Sequence, residues 1–153
     1  MSLLAKSNEV KEKIKTTLSK VPLSSKIVYG KNASVMIGIR PPGYHSKPHR
    51  HDCEQINYVA SGEMDLFIEN KRYHQEKGDF SRIPANRIHW AWNKGNETCV
   101  LFEVHIPGLH ADWKDVAFPL LDADEEDDGK SVRNIMIDLP ASFMETVESE
   151  KEQ

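Results

Sequence analysis

An all-β sandwich or barrel is the fold class this sequence predicts, on three observations. Between residues 26 and 107 the chain breaks into short β-type runs, with turn residues between nearly every pair. No apolar run approaches the ~20 residues that span a bilayer. The 153 residues suffice for one domain with a real core but not comfortably for two.

Residues 3–20 read as an amphipathic helix, with Leu4, Val10, Ile14 and Leu18 at helical spacing and Pro22 as its stop signal. Lys6, Lys11, Lys13, Lys15 and Lys20 alternate there with Glu9 and Glu12, the pattern of a solvated helix face. Strands are expected at 26–29, 34–40, 55–60, 64–69, 88–92 and 98–106. Gly30, Pro41-Pro42-Gly43, Ser61-Gly62, Glu69-Asn70, Gly78-Asp79 and the Asn93–Asn96 segment mark turns between them. Met36, Ile39, Phe67, Ile68 and Phe80 are assigned to the core or an apolar pocket wall.

The organisation that follows is a helical segment at 1–22, a barrel at 23–110 and a C-terminal extension at 111–153. Six carboxylates crowd residues 122–128, but the sixth position counted from Asp122 is Asp127 where a calcium loop needs glycine, so a solvated acidic loop is expected. Residues 131–139 suggest one more strand, covering a barrel edge or a partner subunit, and residues 148–153 suggest a fraying end. A net charge of −4 without a basic stripe argues against nucleic acid or an anionic membrane as partner. With no signal-peptide core and with Cys53 and Cys99 far apart, a cytoplasmic protein with reduced thiols is expected.

Chemistry concentrates in two segments. In Pro48-His49-Arg50-His51-Asp52-Cys53-Glu54-Gln55, strand alternation puts residues 49, 51 and 55 on one face and Glu54 on the other. His89 follows the turn at Ile83-Pro84-Ala85-Asn86. Three imidazoles and one carboxamide oxygen from two segments would make a mononuclear metal site. Imidazole-rich shells suit Fe, Mn, Ni, Co, Cu or Zn, so one divalent transition metal per chain is expected without its identity. Gln55 cancels none of the ion's charge, which favours Lewis-acid chemistry on anionic oxygens.

Parity also places Cys53 with the ligands, as small buried packing, and turns Trp90 and Trp92 away from His89 towards a core or subunit interface. His45 reads as a surface histidine. Along 99–105, Val100, Phe102 and Val104 alternate with Leu101, Glu103 and His105, and periodicity does not say which face is inside. If the mixed face lines the cavity, Glu103 and His105 are acid/base candidates.

Written out, the first segment is Gly43-x5-His49-x-His51-x3-Gln55-x6-Gly62, and the second is Gly78-x5-Pro84-x-Asn86-x2-His89-x3-Asn93. Together they resemble the two motifs of the cupins, over about one third of the chain. Gln55 stands at the motif's glutamate, and Asn86 at a glycine expected to have positive φ, which asparagine tolerates. The resemblance implies a double-stranded β-helix (a jelly-roll barrel), a metal site at His49, His51, Gln55 and His89, and pairing into a homodimer. It is similar to cupins with a His/Gln shell that process sugar uronates or cyclise polyketides. The resemblance therefore implies an enzyme of isomerase, lyase or cyclase type acting on a small oxygenated substrate. A dioxygenase and a non-catalytic sensor or binding module remain the alternatives, since many cupins use O₂ and some bind without catalysing.

Overall fold

The computed structural model describes residues 2–150. Among the described residues, twelve strands form two antiparallel-built sheets. The first sheet runs β1 (Lys13–Lys15), β2 (Leu23–Tyr29), β3 (Ser34–Arg40), β10 (Cys99–Ile106), β5 (Glu54–Ser61), β8 (Phe80–Ile83), with β11 (Phe118–Pro119) parallel to β2. The second runs β12 (Ile135–Met136), β4 (His49–Arg50), β9 (His89–Trp92), β6 (Glu63–Ile68), β7 (Lys71–Glu76). A helix, α1 (Ala141–Ser149), closes the described chain.

The inner faces follow period-two burial. On β3, Met36 and Arg40 are buried while Val35, Ile37 and Ile39 face outward; on β10, Leu101, Glu103 and His105 are buried and Phe102 is half exposed. Leu23, Tyr44, Val59, Met64, Ala91, Cys99 and Leu101 form the main cluster between the sheets. Turn chemistry fixes two sequence-marked connections that pass from one sheet to the other, β5 to β6 and β8 to β9. Gly62 has φ +73° and a Cβ there would meet Thr98 O at 2.4 Å, so only glycine fits. Asn86 adopts φ 63° as expected, and its Nδ2 donates to Asp52 Oδ1 at 2.9 Å, tying the β8–β9 turn to the β4–β5 bend.

Several expectations need correction. Residues 3–20 form no helix. Leu4, Ile14 and Leu18 are exposed, and residues 13–15 add a strand to β2, paired Lys13↔Ser25 and Lys15↔Leu23. Ser24 Oγ donates to Glu12 and Lys26 Nζ to Ser7 O, which holds the segment along that edge. Phe80 is 74% exposed and Ile39 40%, both on the outer face rather than in the core. The 131–139 strand shortens to β12, which pairs with β4. The acidic loop is exposed as expected.

The C-terminal end is docked rather than frayed through residue 150; residues 151–153 lie outside the described residues. Met144 and Val147 of α1 pack with Phe67 and Trp90, and Trp90 Nε1 donates to Glu148 Oε1 at 3.0 Å. Glu148 Oε1 also lies 2.7 Å from His45 Nε2. His45 is therefore buried beneath the helix, not a surface residue. Trp90 does face away from the barrel interior, as parity required, with α1 as its cover.

Candidate metal centre

His49, on β4, pairs in register with His89 on β9, so the two second-sheet histidines sit side by side. His51 lies in the bend after β4, and Gln55 is the second residue of β5. The strand-alternation premise is therefore only partly right, because residues 51–53 interrupt the strand. The bend nevertheless turns His51 inward, and β5 starts with Glu54 outward and Gln55 inward. Glu54 accepts from Arg82 Nη2 at 2.9 Å on the surface, while Gln55 is buried.

One ring nitrogen each of His49, His51 and His89 lies within 4.8 Å of the others. Backbone carbonyls select which nitrogens these are. His49 Nδ1 faces Lys47 O at 2.8 Å, and His89 Nδ1 faces Arg87 O at 2.9 Å. Donating Nδ1–H to a carbonyl leaves Nε2 with its lone pair, the arrangement that supports a metal-ligating imidazole. His89 Nε2 is buried without a protein partner, an orphan that a cation would satisfy. Burial lowers the His49 pKa to about 4 and that of His89 well below its ordinary value, so both rings stay neutral at physiological pH.

His51 completes the fit. Its Nε2 is 3.0 Å from Gln55 Oε1, and its Nδ1 lies 3.3 Å from Cys53 O and 3.1 Å from Cys53 Sγ. These contacts allow the thiol to donate to Nδ1 while Nε2–H donates to Gln55 Oε1. A bound cation would favour the other tautomer, with Nδ1–H donating to Cys53 O and with Nε2 and Gln55 Oε1 both available as ligands. Burial pushes the Cys53 thiol up to about 12, so it stays protonated.

The carboxamide of Gln55 has its orientation set from behind. Its Nε2 donates to Asn57 Oδ1 at 2.7 Å and to Glu103 Oε1 at 3.0 Å, which leaves Oε1 to face the histidines. Arg40 Nη2 donates to the same Glu103 oxygen at 2.9 Å. The face of β10 left open by the sequence is thus decided: Glu103 and His105 are inside, and Glu103 Oε2 faces His105 Nε2 at 3.9 Å. Burial, with His51, His49 and Arg40 adding to it, holds the His105 pKa at about 3, and its Nδ1 has no protein partner.

These groups line a cavity of about 360 Å³, within the range of small-molecule sites. Arg40, Asn57 and Lys15 belong to it and escaped the sequence reading. For Arg40 a signal existed. Gly38 two residues earlier leaves room for its guanidinium, which a Cβ there would strike at 2.3 Å.

Residues 36–105 match the family model described as "Cupin domain". Among curated proteins, auxin-binding protein T92 from Nicotiana tabacum is 28% identical over 91 residues, 52% of this chain and 49% of that one. The chain spans about half the length of the curated relatives it matches. Among solved structures, a predicted oxalate decarboxylase from Thermotoga maritima superposes with TM-score 0.61 at 19% identity, over 68% of this chain and 98% of that one. The polyketide cyclase RemF from Streptomyces resistomycificus gives 0.60 at 18%, over 69% and 80%. At these identities the structures speak for the fold alone.

Proposed function

From the premise that this chain carries a cupin domain, we propose that it is a metal-dependent enzyme acting on a small oxygenated or anionic substrate, by isomerase, lyase or cyclase-type chemistry. The observation carrying this reading is the convergence of His49, His51, His89 and Gln55 Oε1 at the wall of the cavity, each with a partner behind it. A divalent ion held there would supply Lewis acidity to substrate oxygens. Gln55 adds no negative charge, so the ion's charge would stay directed at the substrate. Glu103 takes Arg40 and Gln55 as donors on Oε1, which leaves Oε2 as the oxygen positioned to move a proton. His105, 3.9 Å from that oxygen, is the second acid/base candidate; held neutral by a pKa of about 3, it would act through its ring N–H rather than by taking up the proton.

The neighbouring polyketide cyclase lends this reading support by fold only. The auxin-binding relatives, named for binding rather than catalysis, favour a non-catalytic small-molecule-binding protein as the second reading. A screen of metal-loaded protein against small hydroxy and keto acids, run with and without oxygen, tests the proposal. Anaerobic turnover that is lost in Glu103→Gln with metal retained supports it. Turnover only with oxygen consumption replaces it by a dioxygenase, and saturable binding without turnover favours the second reading.

The reading includes a homodimer. Ile37, Ile39, Ile56, Phe102 and the 74%-exposed Phe80 project from the outer face of one sheet, an apolar surface of the kind that marks protein interfaces. It also assumes a reducing cytoplasm, compatible with the unpaired, buried Cys53 and Cys99. No helix among the described residues is long and apolar enough to cross a membrane.

A further inference from the structure

We infer that Lys15 is the recognition residue for a negatively charged group on the molecule that occupies the cavity, so that the ligand is a small carboxylate or an acid of similar charge. This rests on the reading of the cavity as a ligand site and adds the charge that the ligand carries.

The inference starts from register. Lys13 and Lys15 pair with Ser25 and Leu23, whose side chains are buried, so the lysines point inward and Ile14 between them points out, 69% exposed. An edge strand with lysines inside and isoleucine outside reverses ordinary burial. Inward charges can simply protect a sheet edge from pairing, and Lys13 fits that description. Its ammonium is 3.1 Å from Asp115 Oδ1 and donates to Asp112 O at 3.0 Å.

Lys15 does not fit it. Its ammonium sits 4.6 Å from the centroid of the buried Trp113 ring and lines the cavity wall. The other lining cations are already matched: Arg40 with Glu103 at 2.9 Å and Lys47 with Asp138 at 2.8 Å. Among the described residues lining the cavity, Lys15 is the cation with no carboxylate in ion-pair distance. Burial lowers its pKa, with Lys13 adding to that and Asp112 and Asp115 opposing it, and neither aspartate stands at ion-pair distance from the Lys15 ammonium. An entering anion would supply a counter-ion. Arg40 Nε and Nη1, buried without partners on the same wall, add donors that an acidic ligand or its water would satisfy.

The test titrates the full chain, loaded with zinc, with malonate, succinate and glutarate and with their neutral diamides, by calorimetry, with metal content read on every sample. Wild type is expected to bind at least one diacid about tenfold or more tighter than its diamide. Lys15→Met should remove that preference and Lys15→Arg should restore it, with metal content unchanged in both. Lys13→Met, whose ammonium is paired elsewhere, should leave the preference intact and shows that a folded strand survives such a change. Equal affinity of diacids and diamides for wild type, or a diacid preference that persists in Lys15→Met, overturns the inference. A preference that depends on Lys15 in a protein that takes up no zinc discards the metal reading and keeps this one. Zinc bound normally with no effect of Lys15→Met does the reverse.

Discussion

Gln55→Glu probes the arrangement behind the candidate metal site with little change of shape. In the wild type Nε2 donates to Glu103 Oε1 at 3.0 Å. The substitution replaces that donor with an acceptor that ionises. Two unit charges at 3.0 Å repel by 332/(20 × 3.0), or about 5.5 kcal/mol at an effective dielectric of about 20. Taking up a proton at pH 7 is cheaper: from an ordinary glutamate value near 4.3 it costs about 3.7 kcal/mol. The metal-free variant is therefore expected to hold one extra proton and to be about 3–4 kcal/mol less stable than wild type at pH 7. The new carboxyl has a raised folded-state pKa, so its penalty is absent below about pH 4.3 and grows as pH rises towards about 8. A divalent ion would remove the repulsion, so metal binding at pH 7 should expel close to one proton per chain more than it does from wild type. Calorimetric metal titrations in buffers of different ionisation enthalpy count that proton, and thermal melts of apoprotein from pH 5 to 8 read the stability. A metal-free variant as stable as wild type at pH 7, or proton release equal to wild type, refutes the contact between Gln55 and Glu103.

Metal-free wild type should respond to acid in the opposite sense. His49 at about 4, His105 at about 3 and the lowered His89 all sit below the unfolded value of 6.5, so their stabilisation is complete above pH 6.5 and is lost as pH falls towards 4. A melting temperature that stays level from pH 7 to 4.5 contradicts the burial of these rings. Glu148→Ala removes the acceptor shared by His45 and Trp90, at a cost of about 1–3 kcal/mol, and should expose α1 to hydrogen exchange and shift Trp90 emission to the red. Unchanged exchange in α1 would show that apolar packing alone docks the helix. Paired Ile37→Glu and Phe80→Glu substitutions should halve the mass measured by light scattering while metal content persists, and an unchanged mass places any dimer contact elsewhere.

The barrel was legible because its punctuation is local. Gly62 and Asn86 are required by backbone conformations that few residues tolerate, and the strand runs between such turns alternate plainly. That Gln55 faces inward and Glu54 outward also follows from parity, although β5 begins only at Glu54 and a bend, not a continuous strand, carries His51 inward. The failures have a common physical origin in partners distant along the chain. Leu4, Ile14 and Leu18 imitate a helical stripe, yet the buried side of residues 13–15 is formed by lysines whose platform, Trp113, lies almost a hundred residues away. Phe80 alternates correctly but faces out, because period two fixes pairing and not side. Glu148 looks like a solvated tail residue until His45 and Trp90 meet it. Alternation does not say which side of β10 carries Glu103 and His105, for the same reason; the packing of β10 between β3 and β5 turns them inward.

Elemental analysis of the purified chain beside His49→Ala and His89→Ala tests the central claim most directly. The account predicts roughly one divalent transition metal per wild-type chain and almost none in either variant, each folded by circular dichroism. Metal retained equally by both variants, or a wild type that takes up no divalent ion when it is supplied, contradicts it.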